Sequence, residues 1–153
     1  MEGNSKSFPD RMKQLLLCVF LSLFIISACT SSMRQIEYGK DNCEFCRMTV
    51  MDPRFASGIL TSKGRVYTFD SEECLANYVK EKGFSEKDQY FVSDYTRPGT
   101  LIEATGAIYL HSDSIQSPMG GNLGAFIDQS SALSCQKELG GELLKWSQLT
   151  GRK

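Results

Sequence analysis

Histidine is nearly absent from this sequence: His111 is the only one among 153 residues. A structural zinc site usually takes four Cys or His ligands, often from a second Cys-x-x-Cys pair or a His pair, and neither accompanies Cys43 and Cys46. A c-type haem site requires His directly after the second cysteine, where this chain has Arg47. The Cys-x-x-Cys pair therefore predicts neither structural zinc nor covalent haem.

Excess charge and long hydrophobic runs are lacking as well. The formal net charge is −1, and no basic patch interleaved with aromatic residues is present, so the sequence does not indicate a nucleic-acid-binding protein. The apolar run Leu15–Ile26 is too short to cross a bilayer as a stable anchor.

The N-terminal segment is instead typical of a bacterial secretory signal, because Arg11 and Lys13 precede the apolar run and small residues follow it. Ile26-Ser27-Ala28-Cys29 resembles a lipobox, which predicts cleavage before Cys29 and acylation of its sulfur. We expect a signal peptide over residues 1–28 and a polar tether over 29–40. An ordinary signal peptide with an incidental Cys29 is the alternative. Met12 is itself a normal start, which would leave residues 1–11 outside the protein.

The remaining chain predicts an α+β fold with the order strand–strand–helix–strand in each of two halves, about 41–97 and 98–150. Asp70 and Asp128 are the expected helix N-caps, and Gly83 and Gly140-Gly141 the expected helix ends. Asp70 and Asp128 are 58 residues apart, and so are Gly83 and Gly141. This common spacing suggests an internal duplication. The predicted elements are strands 55–61, 65–69, 89–93, 107–111, 123–127 and 142–147, and helices from Asp70 to Gly83 and 129–139.

Four sulfur atoms lie close together in the stretch DNCEFCRMTVMD: those of Cys43, Cys46, Met48 and Met51. Thiolates and thioethers are soft donors that select Cu(I) over harder ions. Met51 could equally be core filler. A plain Cys43–Cys46 disulfide and a thiol–disulfide exchange site remain alternatives, although no apolar strand precedes the pair as a thioredoxin-type site would require.

A further methionine, Met119, lies in a turn between Pro118 and Gly120 that offers little core to fill. An apolar side chain in such a turn favours a role in binding. Cys74 and Cys135 lie on predicted helices beside apolar residues, and we expect both to be core residues rather than ligands.

Taken in order, these motifs resemble the NosL family of copper lipoproteins. They are the lipobox, Cys-x-x-Cys with Met48 two residues on, Tyr-x-Phe-Asp at Tyr67–Asp70, and the Pro-Met-Gly turn leading to Ala125-Phe126. The resemblance implies a tandem ββαβ domain over residues 41–153, similar to that of organomercurial lyases. It also implies a non-enzymatic Cu(I)-binding protein that supplies periplasmic nitrous oxide reductase together with the maturation machinery of that enzyme.

The resemblance assigns site residues only where the motifs match. Cys46-Arg47-Met48 corresponds to the Cys-Gly-Met element of the family, with Arg in place of the usual Gly, and Met119 corresponds to the methionine of the turn. Many relatives carry His after Cys-Gly-Met, and this chain does not. The predicted metal site is therefore Cys43, Cys46, Met48 and Met119, with Cys43, Met51 or His111 as the replacement for the missing His.

Together these features predict a Cu(I) metallochaperone in the cell envelope, anchored by lipid to a membrane, the outer one by preference, and facing the periplasm. Two other functions fit the same residues. A lipid-anchored thiol–disulfide oxidoreductase would use Cys43 and Cys46 but has no use for thioethers at Met48 and Met119. An envelope copper buffer or sensor would use the same ligands without a dedicated client.

Lipid modification of Cys29 is directly testable. Mass spectrometry of the membrane fraction should find a mature chain that begins with an acylated Cys29, because several acyl chains on one cysteine give an anchor that hardly dissociates. The variant Cys29→Ser should remain uncleaved at this position. A soluble mature chain cut elsewhere would contradict the prediction.

Overall fold

The computed structural model describes residues 32–83 and 85–151. The signal segment 1–28 and Cys29 lie outside these residues. The elements in chain order are β1 (Ser57–Leu60), β2 (Val66–Phe69), α1 (Glu72–Lys82), β3 (Gln89–Asp94), β4 (Arg97–Glu103), β5 (Ile108–His111), β6 (Leu123–Phe126), α2 (Gln129–Leu139), β7 (Glu142–Lys145) and α3 (Trp146–Thr150). None of these helices combines the length and apolar character that a membrane crossing requires.

One seven-stranded sheet organises the described residues, with β2, β1, β3, β6, β5 and β7 in spatial order and β4 paired to β3. Strand β1 pairs antiparallel with β2 and β3, and β5 pairs antiparallel with β6 and β7. A parallel pairing of β3 with β6 at Asp94 and Ala125 joins the two groups of strands. The predicted mixture of helices and strands is confirmed, and the order strand–strand–helix–strand occurs in each group.

The helix ends follow local capping chemistry. The Asp128 carboxylate accepts a hydrogen bond from the Ser131 N–H (2.8 Å), as an N-cap should, so the predicted cap of α2 is confirmed. Helix α1 differs from the prediction by one residue. Its N-cap is Ser71, whose hydroxyl accepts from the Cys74 N–H (3.3 Å). Gly83 ends α1 at φ 86°, a left-handed conformation that glycine adopts without steric cost.

Two elements were not predicted. Strand β4 contains Pro98-Gly99, a pair that indicates a turn, but β4 pairs only with β3, and an edge strand tolerates proline. The predicted final strand 142–147 is too long, because the chain turns into α3 at Trp146. The Gln148 side chain accepts from the Lys145 N–H (2.8 Å) and fixes that turn.

Apolar residues cover both faces of the sheet. Helix α1 and Trp146 of α3 pack on one face with Val92 and Tyr109. Helix α2 packs on the opposite face, where Ala132 meets Leu110 and Phe126. Neighbouring residues such as Tyr109 and Leu110 belong to different clusters because successive side chains of a strand point to opposite faces.

The predicted tether over 29–40 extends too far into the domain. Ile36 is buried with Val50 and Ala56, the Arg34 guanidinium binds the Asp41 carboxylate through two hydrogen bonds (2.7 and 2.8 Å), and the Gly39 N–H donates to the Val50 carbonyl (2.9 Å). Packing therefore begins before residue 41. Lone apolar residues in a polar stretch give no periodic pattern, which explains the error.

Replacing Ile36 tests this packing. Ile36→Ala should lower the free energy of unfolding by about 2–5 kcal/mol, since it removes buried methyl groups and leaves a cavity. The matched control is Ile127→Ala, because Ile127 is 50% exposed. The control should change the free energy by less than about 0.5 kcal/mol. Equal, small effects of both variants in chemical denaturation would show that residues 33–40 are a tether after all.

Candidate metal centre

The two cysteines of the Cys-x-x-Cys pair lie in a tight turn that is held at both ends. Asn42 and Thr49 form an isolated antiparallel bridge, the Cys43 N–H donates to the Met48 carbonyl (2.7 Å), and the Arg47 N–H donates to the Cys43 carbonyl (3.0 Å). The turn is also tied to β2, since the Glu44 N–H donates to the Thr68 carbonyl (2.8 Å). This backbone network fixes where the two sulfurs point.

A third cysteine joins them. The Sγ atoms of Cys43, Cys46 and Cys74 all lie within 4.8 Å of one another. Cys43 and Cys74 are fully buried, Cys46 is half-buried, and none of the three forms a disulfide. Among the described residues, this is the one group of three or more His, Cys, Asp and Glu side chains that could hold a metal ion. Three sulfur donors at this spacing suit a soft, low-coordinate ion such as Cu(I).

Cys74 is buried in the first turn of α1, as expected of a core residue, but its sulfur lies beside those of the Cys-x-x-Cys pair, so the expectation that it is not a ligand has to be reconsidered. The contact depends on docking the turn 42–49 against the start of α1, which no local pattern reveals. Cys135 is different, because it is half-buried on α2 and packs against the cluster that contains Phe126.

Hydrogen bonding distributes the protons unevenly among the three thiols. The pKa of Cys43 is lowered, mainly by a hydrogen bond from the Cys74 thiol. Backbone N–H groups lower it further, including that of Cys46 at 3.4 Å from Cys43 Sγ, whereas burial raises it. The same bond, with burial, raises the pKa of Cys74. Burial chiefly raises the pKa of Cys46, against a hydrogen bond from the Met48 N–H. These shifts favour the thiolate form of Cys43 and the thiol forms of Cys46 and Cys74.

Asp70 connects the turn to the start of α1. Its backbone N–H donates to Cys43 Sγ, and its buried carboxylate accepts from the Met51 N–H. Burial raises the pKa of Asp70, and burial raises the pKa of Glu72 well above its ordinary value. The raised pKa of Asp70 limits the negative charge beside Cys43.

The methionines lie at the surface. Met48 is 52% exposed and Met51 64% exposed, so Met51 is not core filler. The Met48 backbone binds both cysteines of the turn, since its N–H donates to Cys46 Sγ and its carbonyl accepts from the Cys43 N–H. The thioether of Met48 thus projects outward from a backbone that is fixed to the thiols.

Met119 and His111 lie outside the thiol group. Met119 lines a cavity of about 290 Å³ together with Glu73, Asn77 and Lys80, which lie on the helix that carries Cys74. His111, on β5, lines a different cavity with Ser112, Ser114 and Glu142. The structure therefore brings together Cys43 and Cys46 of the predicted ligands and adds Cys74, and it places Met119 beside the same helix.

Arg47 adopts a left-handed conformation (φ 67°), which costs a residue with a Cβ about 1–2 kcal/mol. Arg47→Gly should therefore raise the free energy of unfolding by up to about 1 kcal/mol, after allowing for the greater freedom of glycine in the unfolded chain. Arg47→Ala is the control, because it keeps the strain and also removes the exposed ion pair with Glu44 (3.2 Å). The stabilities of both variants are measured by thermal unfolding. If Arg47→Gly is no more stable than Arg47→Ala, the backbone at this position is not strained.

Comparison with known proteins agrees with this architecture. The NosL family model matches residues 35–152. Among solved structures, the fold is similar to the crystal structure of the copper chaperone NosL from Shewanella denitrificans, with a TM-score of 0.66, 20% sequence identity, and coverage of 75% of this chain and 92% of that chain. No curated protein matches. Since the family model spans most of the chain, the chain belongs to the NosL family.

Proposed function

We propose that this protein is a membrane-anchored Cu(I) metallochaperone that supplies a periplasmic copper enzyme. The observation that carries the proposal is the group of three sulfurs from Cys43, Cys46 and Cys74. It is supported by membership in the NosL family and by the softness of the donors, because thiolates and thioethers select Cu(I) over harder divalent ions. The function is that of a carrier, and it needs no catalytic base.

The protonation of the site favours a singly charged, soft cation. The Cys43 thiolate brings one negative charge, and a Cu(I) ion on that thiolate gives a neutral pair in a buried setting, where uncompensated charge is costly. Cys46 and Cys74 can complete a three-coordinate shell, and each thiol that binds as a thiolate releases its proton. A divalent ion would need two thiolates for the same neutrality.

We assign the thioethers of Met48 and Met119 to the outer part of the site. Both are neutral and exposed, so they can accept Cu(I) without desolvating a charge and can release it to an incoming partner. Cys43 and Cys46 would then hold the ion, with Cys74 in the place of the His that many relatives carry. His111 and Met51 are not needed in this shell.

The proposal also covers the membrane anchor and the enzyme that receives the copper. Acylation of Cys29 would keep the protein at the envelope, on the periplasmic face of the outer membrane, and nitrous oxide reductase with its maturation machinery would be the recipient. These assignments follow from the lipobox and from the resemblance to the family. The strand–strand–helix–strand order of each half fits a tandem ββαβ duplication.

Two alternatives make different demands. A thiol–disulfide oxidoreductase would reduce a disulfide substrate with Cys43 and Cys46 and would be indifferent to Met48 and Met119. A copper buffer or sensor would bind Cu(I) equally well but would not load a client. To separate delivery from buffering, copper-free nitrous oxide reductase is mixed either with the copper-loaded protein or with a Cu(I) buffer set to the same free Cu(I) activity. Loading of the enzyme by the protein alone indicates delivery, and equal loading from both indicates buffering.

The two helical cysteines offer a matched test of the site. Cys74→Ser should weaken Cu(I) binding by at least about tenfold, the range typical even of residues that only support metal ligands. Cys135→Ser should leave affinity and stoichiometry unchanged, since Cys135 lies outside the thiol group. The full chain in detergent is titrated anaerobically against a chromophoric Cu(I) chelator, with unfolding curves to confirm that both variants fold.

Each result has a distinct meaning. Wild-type affinity in a folded Cys74→Ser variant would remove Cys74 from the site and restore the shell predicted from sequence. Tighter retention of Zn(II) than of Cu(I) by the unmodified protein would exclude the copper function altogether.

A further inference from the structure

The turn that carries Met119 is fastened to helix α1 by one carboxylate. Glu73 Oε1 accepts a hydrogen bond from the Ser117 hydroxyl (2.5 Å) and another from the Leu123 N–H (3.3 Å). The Ser117 oxygen accepts in turn from the Asn122 N–H (2.9 Å). Glu73 therefore holds the residues on both sides of Met119, and it directly precedes Cys74 in the chain.

Two further observations single out this contact. Glu73 Oε2 is buried and has no hydrogen-bond partner among the described residues, so the described contacts of this carboxylate all pass through Oε1. Gly121 packs directly against the same side chain, since a Cβ at this position would lie 2.2 Å from Glu73 Cγ. The turn can approach α1 this closely only with glycine there.

The start of α1 thereby contacts the turn that carries Cys43 and the turn that carries Met119. Asp70 holds the turn with Cys43 and the backbone of Met51, Cys74 supplies its own sulfur, and Glu73 holds the turn with Met119. We propose that Glu73 is a positioning residue that holds the Met119 turn against the helix that carries Cys74, so that Met119 can act as an outer ligand for Cu(I). The inference rests on the proposed function and deepens it, because it assigns control of Cu(I) release to one hydrogen-bonded clamp.

The clamp should act through geometry rather than charge. Preorganising a ligand reduces the conformational entropy that binding must overcome, so a free Met119 turn should hold Cu(I) less well than a fixed one. In Glu73→Gln, the amide oxygen can accept the two hydrogen bonds that Oε1 of Glu73 accepts. In Glu73→Ala, no acceptor remains. Glu73→Gln should therefore preserve Cu(I) affinity, and Glu73→Ala should weaken it by up to about tenfold, because the hydrogen bonds that hold the turn are lost.

A double-mutant cycle separates positioning from a general loss of stability. In the full chain in detergent, Glu73→Ala, Met119→Leu and the double variant are titrated with a Cu(I) chelator, and transfer of Cu(I) to excess chelator is timed by stopped flow. If Glu73 acts through Met119, Glu73→Ala has no further effect on affinity or transfer rate once Met119 is Leu. Additive effects on affinity would overturn the inference.

Glycine substitutions test the contact between Glu73 and the Met119 turn without changing Glu73 itself. Gly121→Ala should displace the Glu73 side chain and reproduce the loss of affinity, whereas Gly106→Ala, where a Cβ meets nothing within 4 Å, should behave as the unmodified protein. This pair decides the question if Glu73→Ala fails to fold, and wild-type affinity in a folded Gly121→Ala variant would then overturn the clamp.

The outcomes also separate this inference from the proposed function. Absence of Cu(I) binding in the unmodified protein would defeat the proposed function. Normal binding by the unmodified protein, together with wild-type behaviour of Met119→Leu or of Glu73→Ala, would defeat only the clamp.

Discussion

The hydrogen bonds that converge on Cys43 Sγ are the interactions on which the rest of the site depends. A buried thiolate is stable only if donors surround it, and Cys43 receives the Cys74 thiol and backbone N–H groups of Phe45, Cys46 and Asp70. These donors come from the turn 42–49, from the end of β2 and from α1. The thiolate therefore joins three parts of the fold, and a change in any of them alters the donor set.

The start of α1 shows how one short segment can serve several functions. Ser71 caps the helix, which frees the Asp70 carboxylate to bind the Met51 N–H, and the backbone of Asp70 faces the thiolate. Neighbouring carboxyl groups would normally repel a thiolate, but burial raises the pKa values of Asp70 and Glu72 and favours their neutral forms.

How much the sequence could predict depended on the range of the interactions. Helix α2, its cap at Asp128 and the soft donors near Cys46 follow from local patterns, and all could be inferred. Cys74 could not, because its role arises only when the turn docks against α1. Strand β4 was missed because its Pro98-Gly99 pair has the composition of a turn and only pairing with β3 makes it a strand. The burial of Ile36 likewise depends on distant partners.

A third cysteine beside the Cys-x-x-Cys pair would give the proposed site a different charge from a histidine in the same place. A neutral imidazole adds a donor without charge, whereas a thiol adds a negative charge each time it binds as a thiolate. Here the fold raises the pKa of Cys74 while it lowers that of Cys43, which favours a neutral thiol on Cys74 beside the thiolate form of Cys43. The uneven pKa values of the three thiols are thus the physical condition under which a buried three-sulfur site can remain open to a monovalent ion.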